Sequence, residues 1–119
     1  MQDFQQLSVW RKAHQLTLAV YEVTLALPRE EKYGLSSQLR RSAASIPANL
    51  AEGCGRRGDA EFARFCSMTM GSASELEYHL LLCKDLKLIK PEAHDSLAQR
   101  TIEVRRMLSA LIRKLRAES

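Results

Sequence analysis

The sequence predicts an all-α protein: an antiparallel up-down-up-down four-helix bundle, with its second helix kinked at Pro47. Three observations predict it. Apolar residues recur at spacings of three and four over almost the whole chain, and no stretch alternates with the period of two that a half-buried strand requires. Turn-forming or polar stretches interrupt that pattern around Pro28 to Gly34, Gly53 to Gly58 and Lys84 to Lys90, leaving four segments. The connections are short, and short connections make successive helices antiparallel neighbours. At 119 residues the chain suits one hydrophobic core, so residues 1–119 are expected to form a single domain.

The first helix is expected from Val9 to Leu27. Leu7, Trp10, Leu18, Tyr21 and Leu25 form one apolar stripe; Val9, Ala13, Leu16, Val20, Val23 and Leu27 form a second. A helix with two apolar faces is buried on two sides. Pro28 ends it, because the residue before a proline avoids the α region. The second helix is expected to start at Ser36 as N-cap, with a stripe of Leu35, Leu39, Ala43, Ile46 and Leu50. Pro47 removes a backbone donor and crowds the carbonyl four residues back, which predicts the kink. Gly53 is expected to end the helix. Asp59 is the expected N-cap of the third, which runs from Ala60 to Leu86. Its Phe62, Cys66, Thr69, Ala73, Leu76, Leu80 and Cys83 have heptad-like spacing, and Gly71 reads as a point of close helix approach. Pro91 suits the first turn of the fourth helix, whose stripe is Leu97, Thr101, Val104, Leu108, Leu111 and Leu115.

Eighteen Lys and Arg against fourteen Asp and Glu give a formal charge of +4. That balance favours loose association with polyanions. Arg40-Arg41, Arg56-Arg57, Arg105-Arg106 and Arg113-Lys114-Leu115-Arg116 concentrate the charge. No apolar run approaches the ~18–20 residues of a membrane span. The first residues lack the basic-then-apolar pattern of a secretory leader, and an odd count of three cysteines points to reduced thiols in the cytoplasm. Cys66 and Cys83 fall on core positions. Cys54, between glycines and beside Arg56 and Arg57, is the candidate reactive thiol.

The chain assembles no recognisable catalytic set. His79 and Cys83 stand four apart on one helix face, but no third metal ligand lies nearby in sequence. His94-Asp95 reads as polar first-turn residues, and there is no Gly-x-Ser-x-Gly elbow. The run Gly53 to Gly58 has no preceding strand, so it is no dinucleotide fingerprint. No catalytic residue, metal or cofactor is therefore expected, and the chain is not expected to be an enzyme. Arg56 and Arg57 instead precede a helix N-terminus, the best local place for a phosphate contact. Arg40, Asn49, Glu52 and Glu75 lie on or beside core faces. Buried charge must be paired, which predicts a polar network at the seam of the second and third helices or at a subunit interface.

Several stretches resemble a known family. They are Val9-Trp10-Arg11-Lys12-Ala13, Tyr33 to Arg41 (Tyr-Gly-Leu-Ser-Ser-Gln-Leu-Arg-Arg), Ser45-Ile46-Pro47-Ala48-Asn49-Leu50-Ala51-Glu52-Gly53, Gly71 to Leu76 and Arg106 to Ile112. Together they are similar to the bacterial 23S rRNA-intervening sequence proteins, and to the accessory variability protein of diversity-generating retroelements. The resemblance implies a four-helix bundle, assembly into ring-shaped homopentamers, and no enzymatic activity. A ring of five copies would carry about +20. The expected function is an oligomeric bundle that binds RNA or DNA through phosphate contacts from Arg40, Arg41, Arg56, Arg57, Arg113, Lys114 and Arg116. Few exposed aromatics are expected, so backbone contacts should dominate over base contacts. The alternative is a scaffold whose basic surface meets an acidic protein partner without nucleic acid.

Overall fold

The computed structural model describes residues 3–118; residues 1, 2 and 119 of the expected domain lie outside the described residues. Four helices follow one another: α1 Ser8–Thr24, α2 Leu35–Cys54, α3 Gly58–Asp85 and α4 Pro91–Glu118. Short 3-10 turns at Phe4–Gln6 and Arg29–Glu31 precede α1 and α2. Contacts join α1 to α2, α2 to α3, α3 to α4 and α1 to α4, with none between α1 and α3 or between α2 and α4. The bundle is therefore square in section, with α1 and α3 on one diagonal. It measures 46 × 21 × 20 Å.

The core follows the helical period. Leu39, Ala43, Ile46 and Leu50 of α2 are buried, as are Phe62, Cys66, Thr69, Ala73, Leu76, Leu80 and Cys83 of α3. On α4, Leu97, Thr101, Val104, Leu108 and Leu115 face inward. The two stripes of α1 part company. Val9, Ala13, Leu16 and Val20 enter the core, whereas Leu18 is 57% exposed and Leu25 77% exposed.

The expected boundaries need correction. Gly34, not Ser36, precedes the first residue of α2, and Ser36 is buried inside the helix. Glu31 does the capping from outside: its carboxylate accepts the Leu35 N–H at 3.3 Å. Gly53 does not end α2, which continues to Cys54. A Cβ at Gly53 would lie 2.8 Å from Phe65 Cβ and 3.0 Å from Phe62 Cδ1, so glycine is there to let α2 and α3 approach. Asp59 lies in the first turn of α3 and not at its cap; Gly58 precedes it at φ +81°, a left-handed value that glycine adopts without a Cβ clash. Gly71 meets nothing within 4 Å and marks no close approach inside the chain.

Pro47 sits within an unbroken α2. Its missing N–H deprives the Ala43 carbonyl of the usual helical partner. Thr17 of α1 supplies a replacement, because its hydroxyl lies 3.0 Å from Ala43 O and 2.9 Å from Ala13 O. The proline thus ties α2 to α1. At the other end of the bundle, α3 closes in a Schellman arrangement. Leu88 N–H donates to Cys83 O and Lys87 N–H to Lys84 O, both at 2.9 Å. Lys87 takes the left-handed position at φ 62°, where glycine is the commoner choice.

Candidate nucleic-acid interface

The up-down course of the chain brings the ends of α2 and α4 to the same end of the bundle. Arg56 and Arg57 occupy the α2–α3 turn there, and Arg113, Lys114 and Arg116 lie in the last turns of α4. Arg56 is partly committed. It donates to Glu52 at 2.8 Å and its guanidinium lies 5.2 Å from the Phe65 ring centre. Arg64 bonds Glu61 at 2.9 Å, and that hydrogen bond holds the Glu61 carboxyl below the usual range. Arg57, Arg113 and Lys114 make no ion pair among the described residues.

Arg40 and Arg41 belong to a different place. Arg41 lies 13 residues before the last residue of α2, about 20 Å along the helix. The seven cations chosen from sequence therefore form two groups. Around Arg40 and Arg41, α1, the Arg29–Glu31 turn and α2 enclose an open groove of about 680 Å³. Arg29, Lys32, Arg40 and Arg41 line it with Tyr21 and Tyr33, and among the described residues no carboxylate lines it. Arg40 Nε donates to Thr24 Oγ1 at 2.8 Å, and its guanidinium stands 4.8 Å from the Tyr21 ring centre. Lys32 stands 5.4 Å from the Tyr33 ring centre.

The expectation of few exposed aromatics is wrong for the tyrosines. Tyr21, Tyr33 and Tyr78 are all exposed, Tyr33 to 87%. Sequence reasoning also missed Arg29, Lys32 and Tyr33 as a group with Arg40. The stretch Arg29-Glu30-Glu31-Lys32-Tyr33 reads as an ordinary polar connection until the turn folds it against α2. The cue available was the density of cations and tyrosine just before the second helix.

The four polar residues expected to share a network are each engaged separately. Arg40 turns to Thr24 and Tyr21 on α1. Asn49 Nδ2 donates to Ser45 O at 2.8 Å within α2. Glu52 holds Arg56. Glu75 does bridge the α2–α3 seam, but through Arg41 and not Arg40, and it also lies 3.3 Å from His79 Nε2. The Arg41 hydrogen bond, helped by His79, keeps the Glu75 carboxyl below its ordinary range. Cys54 needs a stronger correction. Burial, with Asp3 adding to it, pushes its thiol up, so it is not activated by Arg56 or Arg57. Burial pushes Cys66 up to about 12 and also raises Cys83. All three thiols are free and buried.

A second groove runs between α3 and α4. Arg105, Arg106 and Arg113 line one stretch with Met70 and Ser109. Tyr78 and Leu81 line another, with Ile102 and Arg105. Arg105 donates to Glu77 at 2.7 Å, while its Nε and the Nδ1 of His79 are buried without a partner. Among the described residues no group of three or more His, Cys, Asp or Glu is placed to hold a metal ion. No described helix is long and apolar enough to cross a membrane.

Fold and surface together define an all-α four-helix bundle protein whose charged features are grooves and ends, not a convergent set of reacting groups. The sequence model for the 23S rRNA-intervening sequence protein family matches residues 5–110, and the chain belongs to that family. A crystal structure of a protein of unknown function from the S23 ribosomal protein family of Bacteroides thetaiotaomicron is similar, with a TM-score of 0.82 and 26% identity. The match covers 88% of this chain and 95% of that one. No curated protein matches the chain.

Proposed function

We propose that this protein is a non-catalytic, oligomeric bundle that binds RNA or DNA through phosphate contacts. The observation that carries this reading is the gathering of Arg56, Arg57, Arg113, Lys114 and Arg116 at one end of the bundle. Five cations at one end of a narrow rod suit a polyanion better than a compact substrate. The side chains that carry no ion pair there, Arg57, Arg113 and Lys114, have charge available for phosphate. The three buried thiols suit a reducing compartment, in keeping with a cytoplasmic protein.

Two exposed apolar patches support assembly. Leu18, Tyr21 and Leu25 cover the outside of α1, and Tyr78 and Leu81 lie on α3. Since α1 and α3 share a diagonal, these patches face opposite sides of the bundle. Opposed, unlike patches suit head-to-tail packing, which closes into a ring when the rotation allows. The pentamer implied by the family resemblance is one such ring, and it repeats each basic end around an axis.

The test is binding to labelled RNA and DNA at rising salt. Affinity should fall linearly on a log–log plot, with little dependence on sequence. Reversing Arg57, Arg113 and Lys114 to Glu should weaken every strand about equally and flatten the salt slope by about one unit per lost phosphate contact. Wild-type protein that retains no nucleic acid at low salt sinks the reading.

A further inference from the structure

The geometry points to the groove between α1 and α2 as a single-strand subsite, in which a nucleobase lies on the Tyr33 ring while neighbouring phosphates meet Arg29, Lys32 and Arg40. This assignment rests on the nucleic-acid reading above and adds the kind of strand and the place of contact.

The groove has the two components that single-strand binding needs. One is positive charge: four cations line it, no Asp or Glu is among the described lining residues, and of the four only Arg41 is paired with a carboxylate, Glu75. Arg40 is already held in place by Thr24 and by the Tyr21 ring, and its two terminal nitrogens make no hydrogen bond among the described residues. Its donors are thus oriented before a ligand arrives. Arg41 is committed to Gln38 and Glu75, which balances its charge, so the available positive charge comes from Arg29, Lys32 and Arg40. The other component is a flat, open ring. Tyr33 is 87% exposed, with the Lys32 ammonium nearby. Every base has a π-face, so an exposed tyrosine beside a cation accepts bases without choosing among them.

The same arrangement disfavours two other anions. A duplex keeps its bases stacked on one another, so it would reach the cations and leave Tyr33 bare. An acidic peptide would pair with the cations but offers its carboxylates no use for the ring. The groove is open, with a volume of about 680 Å³, and leaves the Tyr33 ring accessible along it. Tyr33 sits on the connection before α2, while Tyr21 and Leu25 of the α1 stripe line the same groove, so a neighbouring subunit seated on that stripe would border the subsite.

The experiment compares a fluorescein-labelled oligouridylate with an RNA duplex of equal length, by anisotropy at low salt. Tyr33→Leu should weaken the oligouridylate about fivefold or more and leave the duplex unchanged. Tyr33→Phe, which keeps the ring, should bind both like wild type. Because the side chain is exposed, both variants should give the helical circular dichroism of the parent. An oligouridylate affinity within about twofold of wild type in Tyr33→Leu overturns the subsite, as does equal weakening of both strands. In either case duplex binding that still collapses on reversing Arg57, Arg113 and Lys114 leaves the broader function standing. Wild type that retains neither strand overturns both.

Discussion

Gly53 and Gly71 are both helical glycines, and the structure gives them opposite meanings. Helix propensity alone favours alanine at each by about 1 kcal/mol. At Gly71 nothing lies within 4 Å of the added carbon, so Gly71→Ala should stabilise the protein by about 0.5–1 kcal/mol. At Gly53 the added carbon meets Phe65 Cβ at 2.8 Å. That atom is bonded to the α3 backbone and cannot swing away. Relieving the clash means parting two helices whose interface is close-packed, which typically costs about 1–3 kcal/mol. Gly53→Ala should therefore lose roughly 1–2 kcal/mol in urea unfolding, opposite in sign to Gly71→Ala. Equal gains at both sites would mean that α2 and α3 do not approach as described. The spacing of glycines in the sequence carries no such distinction, because it says nothing of what stands opposite each one. Cys54 makes the same point: its sequence neighbours are arginines, but its surroundings are the core.

The helices themselves were legible because a period of 3.6 needs only the chain's own order. The stripe on α3 is buried as expected, and so are those on α2 and α4 except for Leu35 and Leu111, which are half-buried at the edge of the core. On α1 two stripes have the same period, and only the packing of four helices decides that Val9, Ala13, Leu16 and Val20 turn inward. Pro47 shows what pattern alone leaves out. A proline in mid-helix reads as a defect, yet its orphaned Ala43 carbonyl finds Thr17 on the next helix. The Thr17 hydroxyl has one proton, and Ala13 O already has the helical N–H of Thr17 available. The proton therefore matters most at Ala43. Thr17→Val, which keeps the shape, should destabilise by about 1–3 kcal/mol, the cost of stranding a buried acceptor. Pro47→Ala returns an N–H to Ala43. In that background Thr17→Val should cost at least about 1 kcal/mol less, as thermal unfolding of the four proteins in a double-mutant cycle would measure. Additive effects would show that Thr17 and Pro47 are not coupled through that carbonyl.

At the scale of the whole molecule, the sequence could not show where its basic clusters meet, because that depends on which helix ends coincide. The up-down course places Arg56 with Arg113 and leaves Arg40 about 20 Å along α2 from its end. It also decides that the two exposed apolar patches face apart. That last fact makes the proposed assembly testable without knowing the number of copies. A head-to-tail contact uses the α1 patch of one copy and the α3 patch of the next. Leu18→Gln with Leu25→Gln removes the first; Tyr78→Gln with Leu81→Gln removes the second. None of these changes alters net charge. Each double variant should run as a monomer in light scattering, since each lacks one half of every contact. Mixed in equal amounts they should form a dimer, because each retains the half the other lost. A two-fold contact between like patches predicts otherwise: one variant would stay assembled and mixing would rescue nothing. The same proteins connect assembly to binding. A monomer presents a formal +4 and a ring of five about +20, so the monomers should bind nucleic acid more weakly and with a shallower salt slope while their cations are untouched. Monomers that bind as tightly as the parent would place the affinity in the single bundle and take the ring out of the mechanism.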